Sequence, residues 1–263
     1  MTLIKKFAEN ICYLELNRPD KRNALNRSMI LELIAFLQDT AESKQYKTLV
    51  LSGKNGFFSS GADLDWMRKA TEQTYEENLE DARLFNQLYH ELEKFPKPII
   101  VRADKGAYGG AIGILACADI TITSPDALFA FSEVGLGLVP ATVAPYIVKK
   151  TGLANARYLL LSGIPFNGED AYRFNLVQQI FPATHIAVKT RELAVKLARN
   201  SPEAVQQTKL LLNRLGDSLV SVDKNMQELC AELISKARIS ADGQEGVKAF
   251  FEKRKPNWND KKF

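Results

Sequence analysis

Histidine and cysteine are scarce in this chain, and their scarcity limits its chemistry. Its 263 residues include two histidines, His90 and His185, and three cysteines, Cys12, Cys117 and Cys230. The cysteines are far apart and odd in number, so they fit neither a disulfide framework nor a metal-site spacing. Two histidines leave few candidates for a histidine metal site or a Ser-His-Asp triad. We therefore expect a reducing compartment and no metal site.

Long apolar runs are also missing. No stretch of about 18 apolar residues occurs, and the segment 1–6 lacks the apolar core of a signal peptide. These absences predict a soluble, cytoplasmic protein with no membrane partner. The net charge of +4 is too small to indicate nucleic acid by itself. Residues 250–263 carry five basic and two acidic side chains, a net charge of +3, so either an anionic ligand or a solvated tail lies there.

Strand-like and helix-like patterns alternate along the first 200 residues, which is typical of an α/β fold. The patterns predict strands at 11–16, 48–52, 99–101 and 120–123, and helices at about 28–43, 75–95 and 109–117. Beyond residue 200 the pattern is helical, with a long segment at 216–239. We therefore expect a core at 1–200 that holds the active site and a helical oligomerisation region at 201–263.

Two glycine-bearing turns carry the most specific chemical signal. The turns at 59–64 and 106–110 each follow an apolar run and each precede a predicted helix, and Glu133 follows the second turn closely. A helix start exposes unpaired N–H groups, so two starts facing one point could hold an oxygen that becomes negative during a reaction. Glu133 could then transfer a proton. If only one of these turns were present, we would interpret it as an ordinary glycine-bearing loop between a strand and a helix.

Six motifs in this order resemble the enoyl-CoA hydratase/isomerase family, also called the crotonase superfamily, over essentially the whole chain. They are Asn17-Arg18-Pro19 with Asn23-Ala24-Leu25, residues 58–64 (FSSGADL), Gly109-Gly110-Ala111, Ala118-Asp119-Ile120, residues 132–140 (SEVGLGLVP) and residues 250–256 (FFEKRKP).

The resemblance implies a spiral of ββα units with two nearly perpendicular sheets. It also implies homotrimers formed through the C-terminal helices, or hexamers built as dimers of trimers. The substrates would be acyl-CoA thioesters, with no cofactor beyond the coenzyme A of the substrate itself. The thioester oxygen would lie between the N–H groups of Ala62 and Gly110, which matches the physical argument from the two turns.

The same resemblance assigns the coenzyme A contacts. Arg22 and Ala24 match the CoA-contacting loop of the family. The turn formed by Ala62, Asp63, Leu64 and Asp65 resembles the segment that holds adenine and pantetheine. Lys253 matches a position that meets the CoA phosphates, often from a neighbouring subunit.

The acid/base residues distinguish subgroups of the family. Standard hydratases carry two glutamates around the attacking water; Glu133 matches the second, whereas Gly113 stands at the first position. A single glutamate is also the pattern of 3,2-enoyl-CoA isomerases, which is the alternative activity. The segments 62–68, 77–83 and 138–148 resemble bacterial methylglutaconyl-CoA hydratases, so we expect hydration of a branched glutaconyl-CoA such as 3-methylglutaconyl-CoA.

Such a substrate has a second, free carboxylate that needs a positive or hydrogen-bonding partner. Arg68, Arg83 and Tyr146 are the candidates for this partner. Trp66 is expected in the wall of the acyl pocket, and Gly109 and Gly110 beside the thioester.

Some family members bind RNA through a lysine-bearing helix near the N-terminus. The matching helix here, at 28–39, contains no lysine. Because a basic stripe for phosphates is missing, we expect no nucleic-acid partner.

Overall fold

The computed structural model describes residues 1–217 and 224–254. The basic tail positions Lys255, Lys261 and Lys262 lie outside the described residues, as do residues 218–223 of the expected helical segment.

Nine strands and ten α-helices occupy the described ranges. The strands are β1 (Leu3–Ala8), β2 (Ile11–Leu16), β3 (Thr48–Gly53), β4 (Ile99–Ala103), β5 (Gly106–Tyr108), β6 (Ile120–Thr123), β7 (Leu128–Ala130), β8 (Phe166–Asn167) and β9 (Gln179–Ile180). The helices are α1 (Arg27–Thr40), α2 (Leu64–Ala70), α3 (Tyr75–Lys94), α4 (Gly110–Cys117), α5 (Ala144–Ser162), α6 (Gly168–Arg173), α7 (Ile186–Ala198), α8 (Pro202–Asp217), α9 (Lys224–Ile239) and α10 (Ala241–Phe251).

The strands form two sheets, which confirms the α/β class. One sheet has six strands in the order β1-β2-β3-β4-β6-β9; β1 and β2 are antiparallel, and the remaining neighbours are parallel. The second sheet has the order β5-β7-β8. Parallel strands bury both faces, which explains the continuous apolar runs that marked them in the sequence.

Alternate residues of the large sheet face two different cores. Leu49 and Leu51 of β3 belong to the main core, whereas Val50 packs with Ile186 and Ala194 of α7. This alternation follows from the period of two residues along a strand. Helix α7 therefore covers one face of the sheet, and the helices that carry the site cover the other.

Most predicted elements occur at or near their expected bounds. Capping explains two helix starts: Asn26 accepts from the Met29 N–H at 2.9 Å, and Thr74 with Glu77 forms a capping box before α3. The first helix ends at Thr40 rather than Ser43. The described residues of the segment 216–239 are helical: those up to Asp217 belong to α8, and those from Lys224 to Ile239 form α9.

Helix α9 packs along α3 and brings the C-terminal region against the core. Leu79 and Ala82 of α3 form an apolar cluster with Ala231 and Ile234 of α9. The site therefore includes a wall from the C-terminal region.

None of the helices in the ranges 1–217 and 224–254 combines the length and apolarity needed to cross a membrane.

Candidate active site

The two glycine-bearing turns are joined through their backbones. The Phe58 N–H donates to the Gly106 carbonyl at 3.0 Å, and the Tyr108 N–H donates to the Ser59 carbonyl at 3.0 Å. Gly61 has φ +85°, and a Cβ there would lie 2.8 Å from the Tyr108 carbonyl oxygen. Only glycine combines this backbone conformation with so close an approach. The structure thus brings together two turns that are more than 40 residues apart in sequence.

Each turn ends in a helix start with an available N–H group. Ala62 precedes Asp63, the N-cap of α2, and its N–H donates to no acceptor in the part of the chain that the structure describes. Gly110 is the first residue of α4, so its N–H has no partner inside that helix. Both residues line one cavity of about 750 Å³. This arrangement suits a ligand oxygen that gains negative charge.

Glu133 lies in the same cavity, beside the second turn. Its Oε1 is 3.3 Å from the position that a Cβ on Gly109 would occupy, and its Oε2 is buried and accepts no hydrogen bond from the described residues. Burial raises the pKa of this carboxyl from 4.5 to about 7. Glu133 can therefore both accept and donate a proton near neutral pH.

The ring of Tyr89 occupies the space beside Gly113. A Cβ on Gly113 would lie 2.6 Å from Cε1 and Cζ of Tyr89. The ring is fully buried, and its hydroxyl donates to the Gly110 carbonyl at 2.7 Å, so it has little freedom to move. Burial also raises the pKa of Tyr89 well above its ordinary value, which keeps the hydroxyl a neutral donor. A second carboxylate at position 113 would have no room.

The residues predicted to contact coenzyme A divide into two groups. Arg22, Ala24 and Leu64 line the cavity, as do Ala62 and Asp63.

Asp65 and Lys253 are not part of the cavity lining. Asp65 forms an exposed ion pair with Lys21 at 3.5 Å, and Lys21 itself lines the cavity. Lys253 is exposed and follows α10. Lys21 and Arg22 are the cations placed to meet a phosphate at this side of the cavity.

Asp63 holds the first turn in place. Its carboxylate accepts from the Asp65 N–H at 2.9 Å and from Arg18 at 2.7 Å, and Arg18 also donates to the Ala24 carbonyl at 2.7 Å. Burial acts to raise the pKa of Asp63, but the hydrogen bonds and the charge of Arg18 outweigh it and lower the pKa. Asp63 thereby ties the loop at 18–24 to the start of α2.

Of the residues predicted to bind the acyl part of the substrate, Gly109 and Gly110 line the cavity. Trp66 lies behind the cavity wall, stacked on Phe85 at 5.6 Å between ring centroids. Tyr146 is buried against Tyr89 at 5.2 Å.

The two arginines predicted to bind a free carboxylate point elsewhere. Arg68 stacks over the Phe251 ring at 4.5 Å, and exposed Arg83 is paired with Glu228. Neither lines the cavity. Their positions therefore do not match the role expected from the sequence.

Several cavity residues were not singled out from the sequence. They include Phe85 of α3, Thr142, and Ile234 and Arg238 of α9. Phe85 lies in the periodic apolar pattern that predicted the helix at 75–95, and such a pattern does not distinguish a cavity residue from a core residue. Nothing local to the sequence of α9 indicates that this helix faces the site. A contact between α3 and α9 depends on tertiary packing.

The fit between Gly113 and Tyr89 leads to a stability prediction. Gly113→Ala should lower the free energy of unfolding by about 1–3 kcal/mol, because the new methyl group meets a buried ring that is held by a hydrogen bond. Gly135→Ala is the matched control, since a Cβ there meets nothing within 4 Å. Urea unfolding of both variants measures the difference. Equal losses in the two variants would show that Tyr89 does not constrain position 113.

Comparisons with known proteins agree with this geometry. The enoyl-CoA hydratase/isomerase family model matches residues 6–261. The 2,3-dehydroadipyl-CoA hydratase of Escherichia coli K12 is 29% identical over 97% of this chain and 98% of its own length. An enoyl-CoA hydratase from Shewanella pealeana, known from its crystal structure, has 36% sequence identity to this chain. The two structures match with a TM-score of 0.79 over 98% of this chain and 96% of that one. The crystal structure of an enoyl-CoA hydratase from Mycobacterium avium matches with a TM-score of 0.86 over 98% of both chains, at 25% sequence identity. With the joined turns and Glu133 in one cavity, these matches show that the chain is an enzyme of the enoyl-CoA hydratase/isomerase family.

Proposed function

We propose that this enzyme adds water to the double bond of an enoyl-CoA, with Glu133 as its acid/base group and the N–H groups of Ala62 and Gly110 around the thioester oxygen. The observation that carries the proposal is a buried carboxyl with a pKa of about 7 in the same cavity as two available helix-start N–H groups. Coenzyme A belongs to the substrate, so the proposal needs no separate cofactor.

The two N–H groups lower the barrier by stabilising charge. When water attacks C3, electron density moves through the double bond onto the thioester oxygen, which becomes enolate-like. Each fixed donor at this oxygen contributes roughly 3 kcal/mol of transition-state stabilisation. Because both donors belong to backbone held by hydrogen bonds and close glycine contacts, they need little rearrangement during the reaction.

One carboxylate is sufficient for the proton transfers. Glu133 as the carboxylate accepts a proton from water while the water oxygen bonds to C3. The protonated Glu133 then donates that proton to C2 as the enolate collapses, which restores the carboxylate. The sum is addition of one water molecule, so no second side-chain proton carrier is required. A pKa of about 7 suits a group that performs both steps.

For the acyl chain we propose a branched glutaconyl-CoA such as 3-methylglutaconyl-CoA. The support is the likeness of segments 62–68, 77–83 and 138–148 to bacterial methylglutaconyl-CoA hydratases. The Escherichia coli relative is named for a 2,3-dehydroadipyl-CoA substrate, which also ends in a free carboxylate. An enoyl-CoA with a distal carboxylate is therefore the substrate class that we favour.

The alternative is a 3,2-enoyl-CoA isomerase. Glu133 as a single base could move a proton from C2 to C4 while the same N–H groups hold the enolate oxygen. The absence of room for a second carboxylate beside Gly113 is compatible with this reaction as well. The products therefore distinguish the two activities.

We also propose that the protein works as a homotrimer, or a hexamer of two trimers, in the cytoplasm. Leu210, Leu211 and Leu212 of α8 are 43%, 56% and 60% exposed in the single chain, and an interface through the C-terminal helices would cover them.

The raised pKa of Glu133 predicts an acidic limb in the pH profile. For hydration Glu133 must be ionised, so kcat/KM should fall about tenfold per pH unit below a midpoint near 7. Initial rates between pH 5 and 9 at subsaturating substrate measure this midpoint in the free enzyme. A midpoint near 4.5, the ordinary value for glutamate, would contradict the assignment of Glu133 as the base.

Product analysis tests the reaction type. Wild-type enzyme and Glu133→Gln should be given 3-methylglutaconyl-CoA, crotonyl-CoA and a 3-enoyl-CoA, with products resolved by mass. We expect a hydrated product from 3-methylglutaconyl-CoA and a loss of about 10²–10⁴-fold in the variant, since proton transfer is removed while shape is kept. A product of unchanged mass from the 3-enoyl-CoA alone would establish the isomerase instead.

A further inference from the structure

Arg238 is one of the cations that line the cavity, with Lys21 and Arg22. It belongs to α9, and the same lining includes the apolar residues Met67, Leu138 and Ile234. The anionic residues of the same lining are Asp20, Asp63 and Glu133, and Asp63 is already bound to Arg18.

The protein partners of Arg238 are weak. Its Nη1 reaches the Asn78 carbonyl and Oδ1 at 3.5 and 3.4 Å, which is the limit of a hydrogen bond. No carboxylate lies within ion-pair distance of it among the side chains that the structure describes. A guanidinium has five N–H donors, so the residues that the structure describes leave most of its capacity unused.

Asp81 carries the negative charge that influences Arg238 most, but it is engaged elsewhere. Asp81 pairs with Arg27 at 2.8 Å and accepts from Trp66 Nε1 at 2.6 Å. Burial lowers the pKa of Arg238, and the charge of Asp81 offsets this only in part. A desolvated cation with incomplete compensation is stabilised by an anionic ligand.

The position of Arg238 places it beyond the thioester site. Gln244 Nε2 donates to both the Thr71 carbonyl at 3.2 Å and the Arg238 carbonyl at 2.9 Å, so Arg238 lies beside the C-terminal end of α2. Ala62 lies just before the N-terminal end of that helix. Seven helical residues span about 10 Å. A short acyl chain that starts at Ala62 and follows α2 therefore ends within reach of the long arginine side chain.

We propose that Arg238 binds a carboxylate at the distal end of the acyl chain and so selects dicarboxylic enoyl-CoA substrates. This inference rests on the proposed function. It assigns the acyl specificity of the enzyme to Arg238, in place of Arg68 and Arg83. The planar fork of arginine holds a carboxylate with two parallel hydrogen bonds. A substrate that ends in a methyl group would leave the guanidinium desolvated and unpaired, which penalises chains without a distal carboxylate.

Binding of saturated analogues tests the inference without relying on the chemical step. Glutaryl-CoA carries the distal carboxylate, butyryl-CoA does not, and neither can be hydrated. Titration calorimetry with the full-length protein should show tighter binding of glutaryl-CoA than of butyryl-CoA. Arg238→Met should reduce this preference by about 10- to 100-fold, and Arg238→Lys should retain part of it, since the charge remains.

Two comparisons make the result specific. Arg191→Met is the control. It removes an exposed arginine that is paired with Glu9 and is not part of the cavity lining, so it should keep the wild-type preference. Butyryl-CoA binding by Arg238→Met reports whether the cavity is folded. An unchanged preference in Arg238→Met, or no preference in the wild type, would overturn the role of Arg238. Failure of the proposed hydration would instead appear as absent turnover with the binding preference intact.

Discussion

The backbone contact between the two glycine-bearing turns is the constraint on which the active site depends. A Cβ on Gly61 would lie 2.8 Å from the Tyr108 carbonyl oxygen, and hydrogen bonds from Phe58 and Tyr108 lock the two segments in register. This contact sets the starts of α2 and α4 beside one cavity. The N–H groups at those starts can then act on the same ligand oxygen, which neither turn could accomplish alone.

The electrostatic environment of the cavity follows from what surrounds that contact. The buried Tyr89 fixes the Gly110 carbonyl and fills the space beside Gly113, so Glu133 is the carboxyl near the second turn to which we assign the proposed acid/base role. Because Oε2 of Glu133 is buried, its charged form is disfavoured and its pKa rises towards neutrality.

Local sequence signals were sufficient for several of the strands and helices around the site. Short strand-like runs flanked by polar residues predicted β2 and β6 at their observed limits, and the three- and four-residue spacing of apolar residues predicted α3. The same spacing could not separate Tyr89 and Phe85 from other core positions, since periodicity reports burial and not neighbours. Arg238 was missed because its place in the cavity depends on α9 packing against α3 across more than 140 residues of chain. Arg83 was predicted to bind the free carboxylate of the substrate. Its ion-pair partner, Glu228, lies 145 residues away in the sequence, so the pairing could not be inferred from local patterns.

The central claim is that one carboxylate performs both proton transfers on one face of the substrate, and stereochemistry tests it most directly. Crotonyl-CoA should be hydrated in deuterium oxide, and the 3-hydroxyacyl product analysed by proton NMR coupling between C2 and C3. If Glu133 takes the deuteron from water and returns it to C2, the deuterium and the hydroxyl group must add to the same face, giving one diastereomer. Addition to opposite faces, or a mixture of both diastereomers, would show that a second proton donor acts and would contradict the account.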